Sequence, residues 1–262
     1  MTTLALSDSW SMLGRHLQRM RHAPGLFIIT MTMPMTMLLF FGYVFGSAMV
    51  LDGGGNYRAY LVPGLFAATA VNGVLTSMLA SAQDHQRGVM DRFRTLPMSR
   101  FAIPAGQTAS DVAMAALGFV PLALCGLAVG WRVEGGPAAA VGAFSLLLLF
   151  RLVTAWVGHY IGLVVGSEEA AGQLGACTFM LPLLSNAYVP TGGMPGWLRT
   201  VTEWNPISAL VTAVRDLFGN SGPASHASWP VAHPLAASLG WAAVLLAVFV
   251  PLTVRRYGRD AA

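Results

Sequence analysis

The sequence contains no lysine; all fifteen of its basic residues, in a chain of 262, are arginines. That absence excludes one function at once, because the phosphate-cradling loop of an ATPase needs the pattern G-x-x-x-x-G-K-[ST], so any ATP has to be handled by another polypeptide. Charge of either sign is also scarce, at 10% of residues against about 25% in an ordinary soluble domain. Cysteine is limited to Cys125 and Cys177. They stand singly in apolar surroundings, with no C-x-x-C and no histidines at ligand spacing, which excludes a disulfide framework or a zinc site and leaves both as small packing residues. Neither H-E-x-x-H nor G-x-S-x-G occurs, so the sequence offers no catalytic residue and no metal site.

What fills the chain is apolar side chain, 55% by count. Uncharged runs extend from Leu26 to Leu51, Ala59 to Gln83, Val112 to Trp131, Ala170 to Leu198 and Pro234 to Val254, each about as long as the roughly 20 residues that cross a hydrocarbon core. A sixth, Gly135 to Ser167, is broken only by Arg151 and His159. Six such runs leave too little polar surface for a soluble fold. The fold class is therefore an all-α integral membrane protein with six transmembrane helices, at 26–50, 59–82, 110–131, 138–166, 170–190 and 234–254. The first run is too long for a signal-peptide core and stays as a span. A net charge of +4 and a pI near 9.5 would suggest nucleic acid in a soluble protein, but the placement of the arginines explains them. Ten (Arg15, Arg19, Arg21, Arg87, Arg92, Arg94, Arg100, Arg255, Arg256, Arg259) fall in the N-terminal segment, the second loop and the tail, and four (Arg58, Arg132, Arg199, Arg215) in the alternate loops. The positive-inside rule then puts both termini of a multi-pass plasma-membrane protein in the cytoplasm, with no nucleic-acid partner.

Residues 4–22 place Leu6, Trp10, Leu13, Leu17 and Met20 at three- and four-residue spacing, with the arginines mostly on other faces. This is an N-terminal amphipathic interface helix, an anchor that is also suited to docking a partner. In span one, "TMTMPMTM" alternates as a strand would in water, but a lone strand in a bilayer leaves its backbone unpaired, so a helix kinked near Pro34 is expected. Met31, Met33, Met35 and Met37 either pack and face lipid or offer an adaptable surface to varied apolar ligands. After span five come turn signals and two short amphipathic pieces within 195–219: Pro195 to Glu203, and one with Asn205 as N-cap and Pro206 at the first helical position. The second gathers Ile207, Leu210, Val211, Val214, Leu217 and Phe218 on one face. They read as a re-entrant pair dipping into the outer leaflet between spans five and six, where irregular backbone must be shielded by protein or face a water-filled cavity; the alternative is a helical loop on the outer surface. No repeat or linker divides the chain, and 1–262 is one domain.

Ionisable groups within spans are costly and kept for a purpose. Asp111 is expected at headgroup depth at the start of span three, and His159 near the inner end of span four, satisfied by a neighbouring carbonyl. Arg151, in "LLLLFRLVTAW", falls at mid-depth, where an arginine costs about 2.5–3.5 kcal/mol. It faces a cavity, pairs with Asp111, or snorkels. Pairing is disfavoured by a depth difference of about ten residues, roughly 15 Å along a helix.

The segment "RGVMDRFRTLPMSR", Arg87 to Arg100, sets four arginines and Asp91 between two apolar runs, with Val89, Met90, Phe93 and Leu96 as an apolar side of its own. With "WVGHYIGLVVGSEEAAGQLG", "PLLSNAYVPTGGMPGWLRTVTEWNPISALVTAVRDLF" and "SLGWAAVLLAVFVPLTVRRYGR", it resembles the membrane subunit of a type-2 ATP-binding-cassette exporter, in particular the daunorubicin/doxorubicin-resistance permease group. The resemblance covers most of the chain from Gln83 onward, in family order. It implies a six-span half-transporter that pairs with a second copy or a paralogue and docks on two copies of a cytoplasmic ATP-binding subunit, which hold the ATP and magnesium; this chain itself is not an enzyme and holds no cofactor. It also implies an interface helix with Trp10, Leu13 and Leu17. Arg87, Gly88, Met90, Asp91, Arg92, Phe93, Arg94 and Leu96 become the coupling segment, and Met194, Trp197, Asn205, Pro206 and Arg215 belong to an outer gate. Arg151 and His159 stand where apolar residues are usual in the family; with Met33, Met37 and Phe40 they are the candidate lining of a cavity. The expected cargo is a small hydrophobic or amphipathic drug or antibiotic. Alternatives are a lipid or lipid-linked glycan as cargo, or an ion-coupled carrier or non-transporting membrane scaffold.

Overall fold

The computed structural model describes residues 24–46, 56–86, 102–221 and 228–259. The amphipathic segment with Trp10, Leu13 and Leu17, and the coupling residues Arg87, Gly88, Met90, Asp91, Arg92, Phe93, Arg94 and Leu96, lie outside the described residues. Every regular element among those described is helical: α1 (Pro24–Phe40, continuing as a π-helical turn at Phe41–Phe45), α2 (Tyr57–Val71), α3 (Gly73–Gln86), α4 (Ala102–Val129), α5 (Gly136–Val165), α6 (Glu168–Leu183), α7 (Gly196–Glu203), α8 (Pro206–Phe218), α9 (Trp229–Ala232) and α10 (Pro234–Arg259). Four stretches, Tyr57–Gln86, Pro104–Val129, Gly136–Val165 and Pro234–Arg256, are long and apolar enough to cross a membrane; they coincide with the second, third, fourth and sixth expected spans. "TMTMPMTM" is helical through Pro34, as backbone accounting in lipid requires.

Three features depart most from the sequence reading. The helix that carries the third span begins at Ala102, ahead of 110. The second is two helices with Asn72 between them. The fifth, α6, stops at Leu183 rather than 190, because polar side chains compete for the backbone that would continue it. Ser185 Oγ donates to Pro182 O at 2.6 Å and accepts from Ala187 N at 3.1 Å, and Asn186 N donates to Ser208 Oγ at 3.1 Å.

The core forms around α2, of whose fifteen residues twelve are buried. Phe66 on its flank touches Phe119, Trp131, Phe144 and Phe218 with ring centroids 5.4–6.1 Å apart. α8 turns its apolar face inward, as its spacing requires: Ile207, Leu210, Val211, Val214 and Phe218 are buried, and Leu217 packs partly on the core. The helix packs against α2, α5 and α10. Its ends are fastened. Gly219, at φ +77°, closes the C-terminus, and Phe218 O accepts from Glu134 N at 2.8 Å and Gly135 N at 3.0 Å in the α4–α5 turn.

α3 and α5 meet along a seam of small residues. A Cβ at Gly158 would run into Val74 O, and one at Gly162 into Met78 O, with Ser77 and Ser81 beside them. This small-x-x-x-small contact lets backbones approach where no hydrophobic force drives helices together. Gly162→Leu should force the helices apart and lower stability by about 1–3 kcal/mol, the usual cost of overpacking. Thermal unfolding of the detergent-purified protein checks this, and an unchanged midpoint would contradict the seam.

Candidate functional site

Where α5 passes mid-bundle, Arg151 is only 7% exposed. Its Nε donates to Asp111 Oδ2 at 3.0 Å and its Nη2 to Asp111 Oδ1 at 2.5 Å, the fork-on-fork geometry that makes arginine–carboxylate pairs strong. Nη2 also donates to Thr76 Oγ1 at 2.9 Å and Nη1 to Thr69 O at 3.4 Å, while Ser77 Oγ donates to Asp111 Oδ2 at 3.2 Å. Side chains and backbone from α2, α3, α4 and α5 thus converge on one guanidinium.

Of the three arrangements open to Arg151, the structure shows the pair with Asp111. The depth argument failed because Asp111 is not at the start of its helix. Measured from the α4–α5 turn, Asp111 lies 129 − 111 = 18 residues down α4 and Arg151 lies 151 − 136 = 15 residues down α5. At 1.5 Å per residue the depths are roughly 27 and 22 Å, a gap that an arginine side chain spans.

The node sits beside the break between α2 and α3. Carbonyls in the last turn of a helix need donors from elsewhere, and in an apolar medium no water provides them. Here Arg151 Nη1 reaches Thr69 O, and Thr154 Oγ1 donates to Ala70 O at 3.1 Å. Gly73 makes room: a Cβ there would lie 2.6 Å from Thr154 Oγ1 and 2.9 Å from Arg151 Cδ. Asn72, Gly73, Thr76, Ser77 and Thr154 were not singled out by sequence reasoning. The Asn72–Gly73 dipeptide is a turn signal that could have flagged the break.

His159 is 1% exposed, and its Nδ1 pairs with Ser81 Oγ at 2.7 Å, a hydroxyl rather than the expected carbonyl. Arg151 and His159 therefore share the α3–α5 contact. Met33 and Phe40 lie on the exposed face of α1, and Met37 packs partly on the core. Where α3 ends and α4 begins, Gln107 Nε2 donates to Asp84 Oδ2 at 2.6 Å and Gln83 Nε2 to Glu168 Oε1 at 2.7 Å, fastening α3 to α4 and α6.

At the opposite end, Arg215 is 3% exposed. Its Nε donates to Tyr60 O at 3.0 Å and its Nη2 to Asn186 O at 2.9 Å and Ala187 O at 3.1 Å. The guanidinium carbon stands 3.4 Å from the Tyr60 ring centroid, a cation–π contact strengthened by desolvation. Tyr60 Oη and Tyr57 Oη donate to Asn186 O and Tyr188 O at 2.8 and 2.9 Å. Asn205 caps α8 by accepting from Ile207 N at 2.9 Å, with Pro206 at the first helical position, as its sequence requires, and its Nδ2 donates to Leu184 O at 3.1 Å. Asn205 and Arg215 are thereby gathered around residues 184–188. Met194 is half-buried, its sulfur accepting from Thr202 Oγ1. Trp197 is 72% exposed, on the same open face as Val201 and Trp204.

A family model described as "ABC-2 type transporter" matches residues 8–218. The chain is 32% identical over 255 residues, 97% of its length and 87% of the relative's, to the daunorubicin resistance ABC transporter permease protein DrrB1 of Streptomyces coeruleorubidus. It is 26% identical over 212 residues, 77% of its length and 70% of the relative's, to the doxorubicin resistance ABC transporter permease protein DrrB of Mycobacterium tuberculosis.

Proposed function

The chain belongs to the ABC-2 type transporter family, and from that premise we propose that it is the permease subunit of an ATP-driven exporter of a small hydrophobic or amphipathic drug or antibiotic. The observation that carries this reading is the likeness, over nearly the whole chain, to a permease named for daunorubicin resistance. The absence of lysine fits it, since the energy source then lies in another polypeptide. In this reading six spans leave both termini in the cytoplasm of a plasma-membrane protein, α1 and α6 completing the count. The α7–α8 pair dips into the outer leaflet as the gate, and two permease copies sit on two ATP-binding subunits.

ATP binding closes the partner pair, and the Arg87–Leu96 segment receives the motion. The ties from Asp84 to Gln107 and from Gln83 to Glu168 flank that segment and pass its displacement to α3, α4 and α6. The spans then exchange an inward-open for an outward-open cavity. Cargo biases this exchange only through different affinities for the two states. Lipid or lipid-linked glycan as cargo keeps the same architecture.

Exchanging Arg92 and Arg94 for glutamate tests the assignment. The double variant should insert normally yet lose co-purification with the ATP-binding subunit, or retain it with export reduced at least about ten-fold, since charges of like sign set against each other at an interface cost several kcal/mol. Unchanged binding and unchanged export would overturn the coupling role. Stimulation of ATP hydrolysis in the purified complex by hydrophobic compounds or by lipids decides the cargo class.

A further inference from the structure

We propose that Arg151 is a positioning residue for transport, holding a joint at Val71–Gly73 where one membrane-crossing helix is interrupted. The transport part of this inference rests on the exporter reading; the joint itself does not.

Both halves of Tyr57–Gln86 pack against α4 and α5, but their polar fastenings differ. α2 is fixed to the outer turn and α8: Arg215 binds Tyr60 O and the carbonyls of Asn186 and Ala187, Tyr57 binds Tyr188 O, and Gly64 leaves no room for a Cβ against Ala187 O. α3 is fixed to α5 through the Gly158–Gly162 seam and to α4 and α6 through Asp84 and Gln83. Between them stands Asn72, one residue that belongs to neither helix.

Arg151 reaches both sides of this joint, and its grip is unequal. Toward α3 and α4 it holds the Asp111 fork at 2.5 and 3.0 Å and Thr76 at 2.9 Å; toward α2 it holds Thr69 O at 3.4 Å, near the limit for a hydrogen bond. Bending at the joint releases the long bond first and leaves the charge paired. The guanidinium, with Thr154 Oγ1 on Ala70 O at 3.1 Å beside it, therefore fixes the resting angle of the joint, and the ion pair with Asp111 outlasts a change in that angle.

The experiment uses the full chain in complex with its ATP-binding subunit, Cys125 and Cys177 replaced by alanine and spin labels placed at Ala80 on α3 and Val201 on α7. Arg151→Lys keeps a cation for Asp111 but lacks the planar fork that also serves Thr69 and Thr76; Arg151→Leu removes every contact. Cargo exported per ATP hydrolysed should fall about five-fold or more in the lysine variant, the lower range of an allosteric coupling, and further in the leucine variant, with the subunits still associated. The inter-label distance distribution should broaden in the same order. A residue that only stabilised the fold would lower the yield of complex while leaving that ratio and the distribution as in the parent, and this outcome would overturn the proposal. Should the leucine variant not assemble, the lysine variant decides. If the parent complex exports no compound tried, the exporter reading falls and the joint is judged on distances alone: equal widths in parent and lysine variant would refute it.

Discussion

Asp111→Leu is expected to destabilise the protein by about 3–5 kcal/mol, because it leaves Arg151 buried with its charge uncompensated. The remaining partners, Thr76 Oγ1 and Thr69 O, are dipoles and do not replace a carboxylate. The double variant Asp111→Leu/Arg151→Leu should recover most of that loss, since replacing both members of a buried pair by apolar side chains is often neutral. Thermal unfolding of parent, both single variants and the double variant closes the cycle. A leucine at 111 as stable as the parent, or a double variant no better than the single, would show that the pair is not buried as described. The double variant also separates two properties: it should be stable and yet export poorly, since the joint at Asn72 has lost its clasp.

Arg215→Met should be comparably damaging for a different reason. Arg215 is held by three carbonyls and one aromatic ring. Methionine fills much of the volume but takes the donor from Ala187 O and removes the cation from the Tyr60 ring, while Tyr60 O keeps its place in the α2 ladder and Asn186 O keeps the Tyr60 hydroxyl. At about 1–3 kcal/mol for a buried group left without a partner and about 2 kcal/mol for a desolvated cation–π contact, the loss should reach about 3 kcal/mol. The turn at 184–190 should become a site of limited proteolysis. Resistance of that turn in the variant equal to the parent's would remove Arg215 from its role as the fastening of that end of the bundle.

Much of this architecture was legible in the residues. Runs such as Val112 to Trp131 need no partner to be read as spans, because lipid imposes one rule on every backbone group. The Asn205–Pro206 cap and the buried face of α8 follow from local chemistry that acts within a few residues. The Arg151–Asp111 pair was not reachable that way: its disfavour rested on the start of α4, and the uncharged run begins ten residues after the helix does. The shortened α6 and the break at Asn72 were hidden for a related reason. Ser185, Asn186 and Asn72–Gly73 sit inside runs whose mean hydropathy says span, and their effect depends on Ser208, Thr154 and Arg151, all distant in sequence.

The fastening of α8 at both ends carries a mechanical meaning. Its N-terminal cap residue grips the end of α6 through Leu184 O, and its last carbonyl grips the α4–α5 turn through Glu134 N and Gly135 N. A rod pinned at both ends cannot swing like a door; it can roll about its own axis or travel with its mounts. Pressure on the terminus of α6 is therefore felt at the α4–α5 turn, and whatever widens one side of that end of the bundle must move the other.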